Sequence, residues 1–190
     1  MKHFIIIIVT ALFCVAVSGQ AHKSIKPGSI HHQGDTTVVS PNQSGWALLK
    51  TDKSETVFEK RDEDGILDAS VKTIRTKTFE TEKELLAGYE ALKQEELSKL
   101  EQDHLHFNYA KFKGAACLRY DGIFPIEKTA SNNFAYFNVR GYLCPHANTQ
   151  DRAVQIEFSN YSKIRGLTED LDSLSGEFFE KTVFSKATVK

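Results

Sequence analysis

The chain has 190 residues, of which 24 are Lys or Arg and 25 are Asp or Glu, so its formal net charge at pH 7 is −1. This balance excludes a strongly basic protein that binds nucleic acid or an anionic membrane through its overall charge. The length and a hydrophobic share of 41% are enough for one domain with a substantial core.

The N-terminus has the pattern of a secretion signal. A basic start at Lys2 precedes an almost unbroken apolar run over residues 4–17, and mostly small residues follow. The run is shorter than the about 20 apolar residues that span a bilayer. We therefore predict a signal peptide over residues 1–21, cleaved after Gly19 or Ala21. The alternative is an uncleaved N-terminal anchor.

The three cysteines have different expected fates. Cys14 lies within the signal, and the bulky Phe13 before it argues against a lipid-modified cysteine. Cys117 and Cys144 remain after cleavage, and an even pair in an exported chain predicts one disulfide. Closing a loop of about 28 residues stabilises the fold by roughly 3.5 kcal/mol in the chain-entropy model. We expect a periplasmic or secreted protein.

The chain after the signal divides into a leader and one domain. Residues 22–45 are polar and rich in turn residues, which predicts a flexible leader with a short strand at Thr37–Val39. A single domain is predicted over residues 46–190. Alternation of apolar and polar residues predicts strands in seven places: 46–50, 56–60, 66–77, 105–109, 116–120, 134–143 and 154–158.

Two helices are expected among these strands. Thr81 and Glu84 form a capping-box pattern, which predicts a helix from Glu82 to about Gln102. Its buried stripe is predicted to comprise Leu86, Tyr89, Leu92, Leu97 and Leu100. Thr168 is predicted to cap a second helix over 169–181. The order β-β-β-α-β-β-β-β-α predicts an α+β fold, a mostly antiparallel sheet of about six to seven strands packed with two helices.

The stretch from Trp46 to Phe184 resembles the PsbP/Mog-type α/β/α sandwich family. The similar features are the early hairpins, the long amphipathic helix over 82–102, the aromatic hairpin strands and Phe178-Phe179 on a closing helix. The resemblance implies a mostly antiparallel sheet between helices. It also implies an accessory or assembly role without catalysis, and it supplies no catalytic residues.

Four residues are candidates for a binding surface: Arg119, Arg140, Tyr142 and His146. Arg140 and Tyr142 share a strand face with Cys144, Arg119 shares a face with Cys117, and His146 follows in the loop 145–152. Together they are predicted to form a patch for a partner or an anion. The alternative is ordinary polarity on an exposed sheet, with His146 a turn residue.

Histidines offer the only other candidate chemistry. The sequence contains no G-x-S-x-G, no H-E-x-x-H and no Gly-rich phosphate loop. His104 and His106 lie on one face of a strand, as metal ligands do, although two solvent-facing histidines explain the pattern more simply. Depending on the cleavage site, the new amino terminus and His22 form a square-planar site for Cu(II) or Ni(II), to which His31 and His32 could contribute.

These observations predict an exported envelope protein that works as a non-enzymatic binding or assembly module. It is expected to bind an unknown protein or small ligand through the sheet edge or the loop 145–152. No cofactor, nucleic-acid partner or membrane span after signal removal is expected. The alternatives are a periplasmic metal-handling protein and a small hydrolase that uses His104, His106 or His146.

Overall fold

The computed structural model describes residues 23–63, 65–101, 103–127 and 133–184. The predicted signal peptide, with Cys14, lies outside these residues. Within them, no helix is both long and apolar enough to cross a membrane. The elements in chain order are β1 (Lys23–Ser24), β2 (Ile30–Gln33), β3 (Thr36–Val39), β4 (Ala47–Thr51), β5 (Glu55–Arg61), β6 (Gly65–Arg75), α1 (Glu82–Leu97), β7 (His104–Phe112), β8 (Ala115–Pro125), β9 (Tyr136–Pro145), β10 (Arg152–Ser162), α2 (Glu169–Lys181) and β11 (Val183–Phe184).

The main sheet has eight antiparallel strands in the order β1-β4-β5-β6-β10-β9-β8-β7. This confirms the predicted α+β class with a mostly antiparallel sheet and two helices, but the strand count exceeds the predicted six to seven. Strand β10 pairs with β6 over its whole length and with β9 on its other side. It therefore joins the strands that precede α1 to those that follow it.

The two helices lie on opposite faces of the main sheet. Successive strand residues point to opposite faces, so each long strand contributes to two cores. One face, the α2 face, packs Phe58, Ala69 and Phe158 against Phe178 of α2. The other, the α1 face, packs Leu118 and Leu143 against α1 residues that include Leu86 and Tyr89.

Helix α1 begins where the capping pattern predicts and ends earlier than expected. The Thr81 hydroxyl accepts a hydrogen bond from the Glu84 amide at 3.2 Å. The helix ends at Leu97 rather than near 102, and Ser98 closes it with bonds to the carbonyls of its last turn. The reason is the next strand: the Asp103 amide already donates to the sheet at Ile123 O, 3.2 Å away, so the chain leaves the helix axis before that point.

Residues 23–45 are more than a leader to the domain, and packing begins before Trp46. Strand β1 pairs with β4, while β2 and β3 pair with each other and with β11 in a second, three-stranded sheet. Val38 is fully buried in the core of the α2 face. The local turn residues signalled a loop, whereas the partner β11 lies at the far end of the chain, where local patterning cannot reveal it.

Strand β9 is displaced by two residues from the predicted 134–143. The Ala135 amide donates to Ser162 O at 2.9 Å, and the carbonyl of Ala135 accepts from Ile126. Regular pairing therefore starts at Tyr136 and continues to Pro145, opposite Ala153.

Candidate functional site

The two cysteines form a buried cross-strand disulfide between β8 and β9. Leu118 pairs with Leu143, which places Cys117 and Cys144 directly across from each other with their Cα atoms 4.5 Å apart. Both side chains are fully buried in the core of the α2 face. The disulfide is inaccessible to a partner and acts as a structural staple.

The four predicted surface residues do not form one patch. On the α2 face, Arg119 lies directly across from Tyr142, and Arg140 is the next residue along that face of β9. His146 lies beyond the end of β9, about 13 Å from Tyr142 at about 3.3 Å per strand residue. Only Arg119 among the four is exposed.

Tyr142 belongs to the packing beneath α2, which corrects its place in the predicted binding patch. Its ring stacks on Phe112 at 4.2 Å and meets the edge of Phe179 at 5.4 Å. Such aromatic pairs stabilise a fold beyond the area they bury. Tyr142 therefore connects the β7–β8 turn region to α2 and presents little surface to a partner.

Arg140 also holds α2 to the sheet. Its guanidinium donates to the Asp172 carboxylate of α2, and Ser175 Oγ lies 3.5 Å from Nη1. The buried Nε has no partner among the described residues. A half-buried cation already paired with a helix carboxylate is not free to bind an external anion, so Arg140 borders the candidate surface instead of forming it.

His146 organises the loop after β9. Its Nδ1 atom accepts a hydrogen bond from the Asn148 amide at 3.2 Å and lies 3.3 Å from Thr149 Oγ1. The side chain is half-buried. The turn-residue alternative thus describes its position, and it does not converge with the arginines.

Asp121 joins His104 and His106 in a cluster that the sequence patterns indicated only in part. His104 Nε2 lies 3.3 Å from Asp121 Oδ2, and His106 Nδ1 lies 3.9 Å from Oδ1. The two imidazoles are nearly parallel, with centroids 6.4 Å apart. His104, Asp121 and Arg140 line a cleft of about 140 Å³, together with Asn138 and the Gly166 backbone.

The turn between β7 and β8 is the sequence signal from which the position of Asp121 opposite His106 could have been predicted. Lys113 and Gly114 both have positive φ, 51° and 82°, which is the geometry of a tight hairpin turn. A two-residue turn at these positions fixes the pairing of the strands, and counting back from it puts His106 opposite Asp121.

The exposed part of this region lies along β7 and its neighbour β8. We define the edge surface as the side chains of His104, His106, Asn108 and Arg119, all on the α2 face. His104 and His106 are 50% and 61% exposed. The Arg119 side chain has no hydrogen bond or ion pair with any residue in the described part of the chain. The edge surface therefore offers an unpaired guanidinium on the same face as two imidazoles, both of which lie near the Asp121 carboxylate.

The α1 face contains a second polar cluster, which the sequence did not reveal. Lys93 of α1 is fully buried, with Nζ 3.2 Å from Glu157 Oε2 and 4.4 Å from the centre of the Tyr120 ring. The Tyr120 hydroxyl and Gln155 Nε2 both donate to the same carboxylate oxygen, at 2.7 and 2.9 Å. Burial acts to raise the pKa of Glu157, but the Lys93 charge and the Tyr120 hydrogen bond outweigh it, so the pKa is lowered.

Asp68, on the neighbouring strand β6, has the opposite shift. Burial and the charge of Glu59, directly across on β5, raise its pKa to about 7.

Lys93, Glu157 and Tyr120 are mutually satisfied beneath α1, which is the arrangement of a structural network. The accessible candidate site is therefore the edge surface.

The histidines near the N-terminus do not converge. His31 and His32 are consecutive on β2 and so point to opposite sides of the small sheet. His31 packs against the Phe58 ring at 5.1 Å, and burial lowers its pKa. His32 is exposed, with Nδ1 3.4 Å from Thr37 Oγ1. His22 lies outside the described residues.

No protein-family model matches the sequence, and no curated protein matches it. A solved structure from Bacteroides thetaiotaomicron VPI-5482 is similar, with 15% identity and a TM-score of 0.45, covering 88% of this chain and 49% of that one. This chain thus spans about half the length of that structure. LpqN, described as involved in cell envelope biogenesis of Mycobacterium tuberculosis, is 13% identical with a TM-score of 0.46, covering 83% of this chain and 90% of its own. No comparison tests the resemblance to the PsbP/Mog-type family, which stays a prediction.

Proposed function

We propose that this chain is exported and works outside the cytoplasm as a non-enzymatic binding module that recognises an anionic partner through the edge surface. The buried disulfide between Cys117 and Cys144 supports export, because such bonds persist in oxidising compartments. The apolar N-terminal run after Lys2 supports it independently.

A single observation carries the binding role. The Arg119 side chain is exposed and has no partner among the described residues, whereas the charged side chains near it in the sheet already contact other residues. The nearest carboxylate along β8, Asp121, contacts the two histidines. Across the sheet, Arg140 holds Asp172. The five N–H donors of the Arg119 guanidinium have no acceptor among the described residues. They are therefore available to carboxylate or phosphate oxygens on a partner.

A hydrolase that uses His104 and Asp121 is the alternative with a specific observation in its favour. The pair has the contact expected of a base and its orienting carboxylate. However, the cleft of about 140 Å³ is small against the about 300–1,000 Å³ of ordinary ligand pockets. The described residues lining it include no Ser, Thr or Cys that could act as a nucleophile. A binding role therefore has the stronger support.

The metal-handling alternative has less support. In the described part of the chain, no three His, Cys, Asp or Glu side chains are grouped so that they could hold a metal ion. His31 and His32 diverge, and the proposed N-terminal site rests on His22 and on a cleavage position outside the described residues. Metal analysis of the purified protein tests this alternative directly.

The proposed binding role is tested with a fluorescent oligoglutamate peptide and the purified, disulfide-bonded protein. We expect binding by fluorescence anisotropy, and a loss of about tenfold or more in affinity for Arg119→Glu, since hydrogen bonds to charged groups contribute about 1.5–3 kcal/mol. Arg152→Glu is the matched control, because Arg152 is an exposed arginine at the start of the central strand β10, three strands away from β7 in the same sheet. Equal affinities for the wild type and Arg119→Glu would contradict the proposal.

Export has its own test. Mass spectrometry of protein from the native cell should show an N-terminus at residue 20 or 22 and no free thiol at Cys117 or Cys144. An intact Met1 on cytosolic protein would overturn the proposed location.

A further inference from the structure

We infer that the anionic partner is an extended acidic segment that adds to the main sheet as a ninth strand along β7. This inference rests on the proposed function, because it uses the same edge surface and specifies how the partner is held. It begins from the position of β7, which is the last strand of the sheet and pairs only with β8 among the described residues.

The edge at β7 is long and regular. The nine residues of β7 pair with β8 without a shift in register, from His104 opposite Ile123 to Phe112 opposite Ala115. The opposite end of the sheet is β1, a strand of two residues. Alternate backbone N–H and C=O groups of an edge strand point away from its neighbour, ready to pair with another chain.

Strand β7 has few of the devices that normally block such pairing. Proteins protect edge strands with prolines, bulges, short length or charged residues. The sequence of β7 is HLHFNYAKF, which has no proline and one permanently charged residue, Lys111, and its pairing has no bulge. An unprotected edge of this length fits a strand whose open side is used for binding.

The side chains of β7 specify the kind of segment that fits. On the α2 face an added strand would lie beside His104, His106 and Asn108, with Arg119 one strand further in. On the α1 face it would lie beside half-buried Leu105 and Phe107.

Tyr109, also on the α1 face, is 53% exposed and is held by a 2.6 Å hydrogen bond to Glu90. Because strand residues alternate between faces, the complementary segment alternates acidic residues with apolar or aromatic ones. Main-chain bonds then supply affinity, and the two rows of side chains supply selectivity.

The test uses a short labelled peptide that alternates glutamate with valine, and two N-methylated versions of it. One version carries N-methyl groups on the glutamate amides and the other carries them on the valine amides. In an added strand, only one of these two sets of amides faces β7. We expect one methylated peptide to lose about tenfold or more in affinity and the other to bind nearly as well as the parent.

The outcomes separate this inference from the proposed function. If both methylated peptides bind like the parent while Arg119→Glu still weakens binding, the surface binds anions but strand addition is wrong. If the alternating peptide binds no better than a peptide of the same composition with its glutamates in one block, the inferred pattern is wrong. Light scattering that shows a concentration-dependent dimer, from which the peptide cannot displace the second copy, would assign the edge to a second copy and overturn the inference.

Discussion

Arg140 on β9 lies directly across from Asp121, yet its guanidinium donates to Asp172 on α2. The Arg140–Asp172 ion pair attaches α2 to the sheet. Asp121 contacts the two histidines instead. We expect Asp172→Ala to lower the free energy of unfolding by about 1 kcal/mol, because the half-buried Arg140 loses its charged acceptor.

Asp170→Ala is the control for that substitution, measured by urea unfolding. Asp170 lies in the same first turn of α2 and is exposed, so both changes remove a favourable helix-dipole contact. The difference between the two isolates the Arg140 contact. Equal losses would show that the contact adds nothing to stability.

Removing the disulfide should destabilise the domain without changing its fold. The Cys117→Ala, Cys144→Ala double variant is expected to lose about 2–4 kcal/mol in urea unfolding. Wild-type protein kept under a reducing agent should lose a similar amount, because reduction breaks the same bond. Coinciding unfolding curves for oxidised and reduced protein would show that the staple contributes no stability.

The buried ion pair on the α1 face predicts a graded set of effects. Lys93→Met leaves the Glu157 carboxylate without its cation, and should cost about 3 kcal/mol. Adding Glu157→Gln to that variant should recover part of the loss, since a neutral amide no longer needs the charge. Glu96→Ala, which removes the exposed partner of Lys93, should change stability by less than about 0.5 kcal/mol. A loss for Glu96→Ala equal to that for Lys93→Met would refute the ranking.

Asp68 predicts a dependence of stability on pH. Its folded-state pKa, raised to about 7, exceeds the unfolded value near 4, so the folded protein binds more protons between these values. The stabilisation is complete below pH 4 and is lost as the pH rises through 7. Asp68→Asn should therefore be more stable than the wild type at pH 8, by on the order of 2 kcal/mol, and the difference should shrink towards pH 5. A constant difference across this range would contradict the raised pKa.

The sequence predicted the parts of the fold that local patterns determine. The two helix starts at Thr81 and Thr168 follow from capping chemistry, and both hydroxyls accept the expected amide bonds. Strand alternation placed the long strands and the facing cysteines. The small sheet was only partly foreseen, because β11 pairs with β3 from the other end of the chain.

The candidate site was harder to predict, because it depends on which exposed groups the helices cover. The alternation of strand residues correctly predicted that Arg119, Arg140 and Tyr142 share one face of the sheet. It could not show that α2 covers Arg140 and Tyr142. Lys93 lies among charged residues on α1. Nothing in that pattern distinguishes a lysine on the side of the helix that faces the sheet from a lysine that faces water. Its burial follows from Glu157, 64 residues further along the chain.

The most direct test of the edge surface as the partner-binding site is backbone hydrogen exchange of β7 with and without the alternating glutamate–valine peptide. We expect slower exchange at alternate amides between His104 and Lys111, no change in β1, and loss of the effect in Arg119→Glu. Protection confined to the loop 145–152, with β7 unchanged, would contradict it.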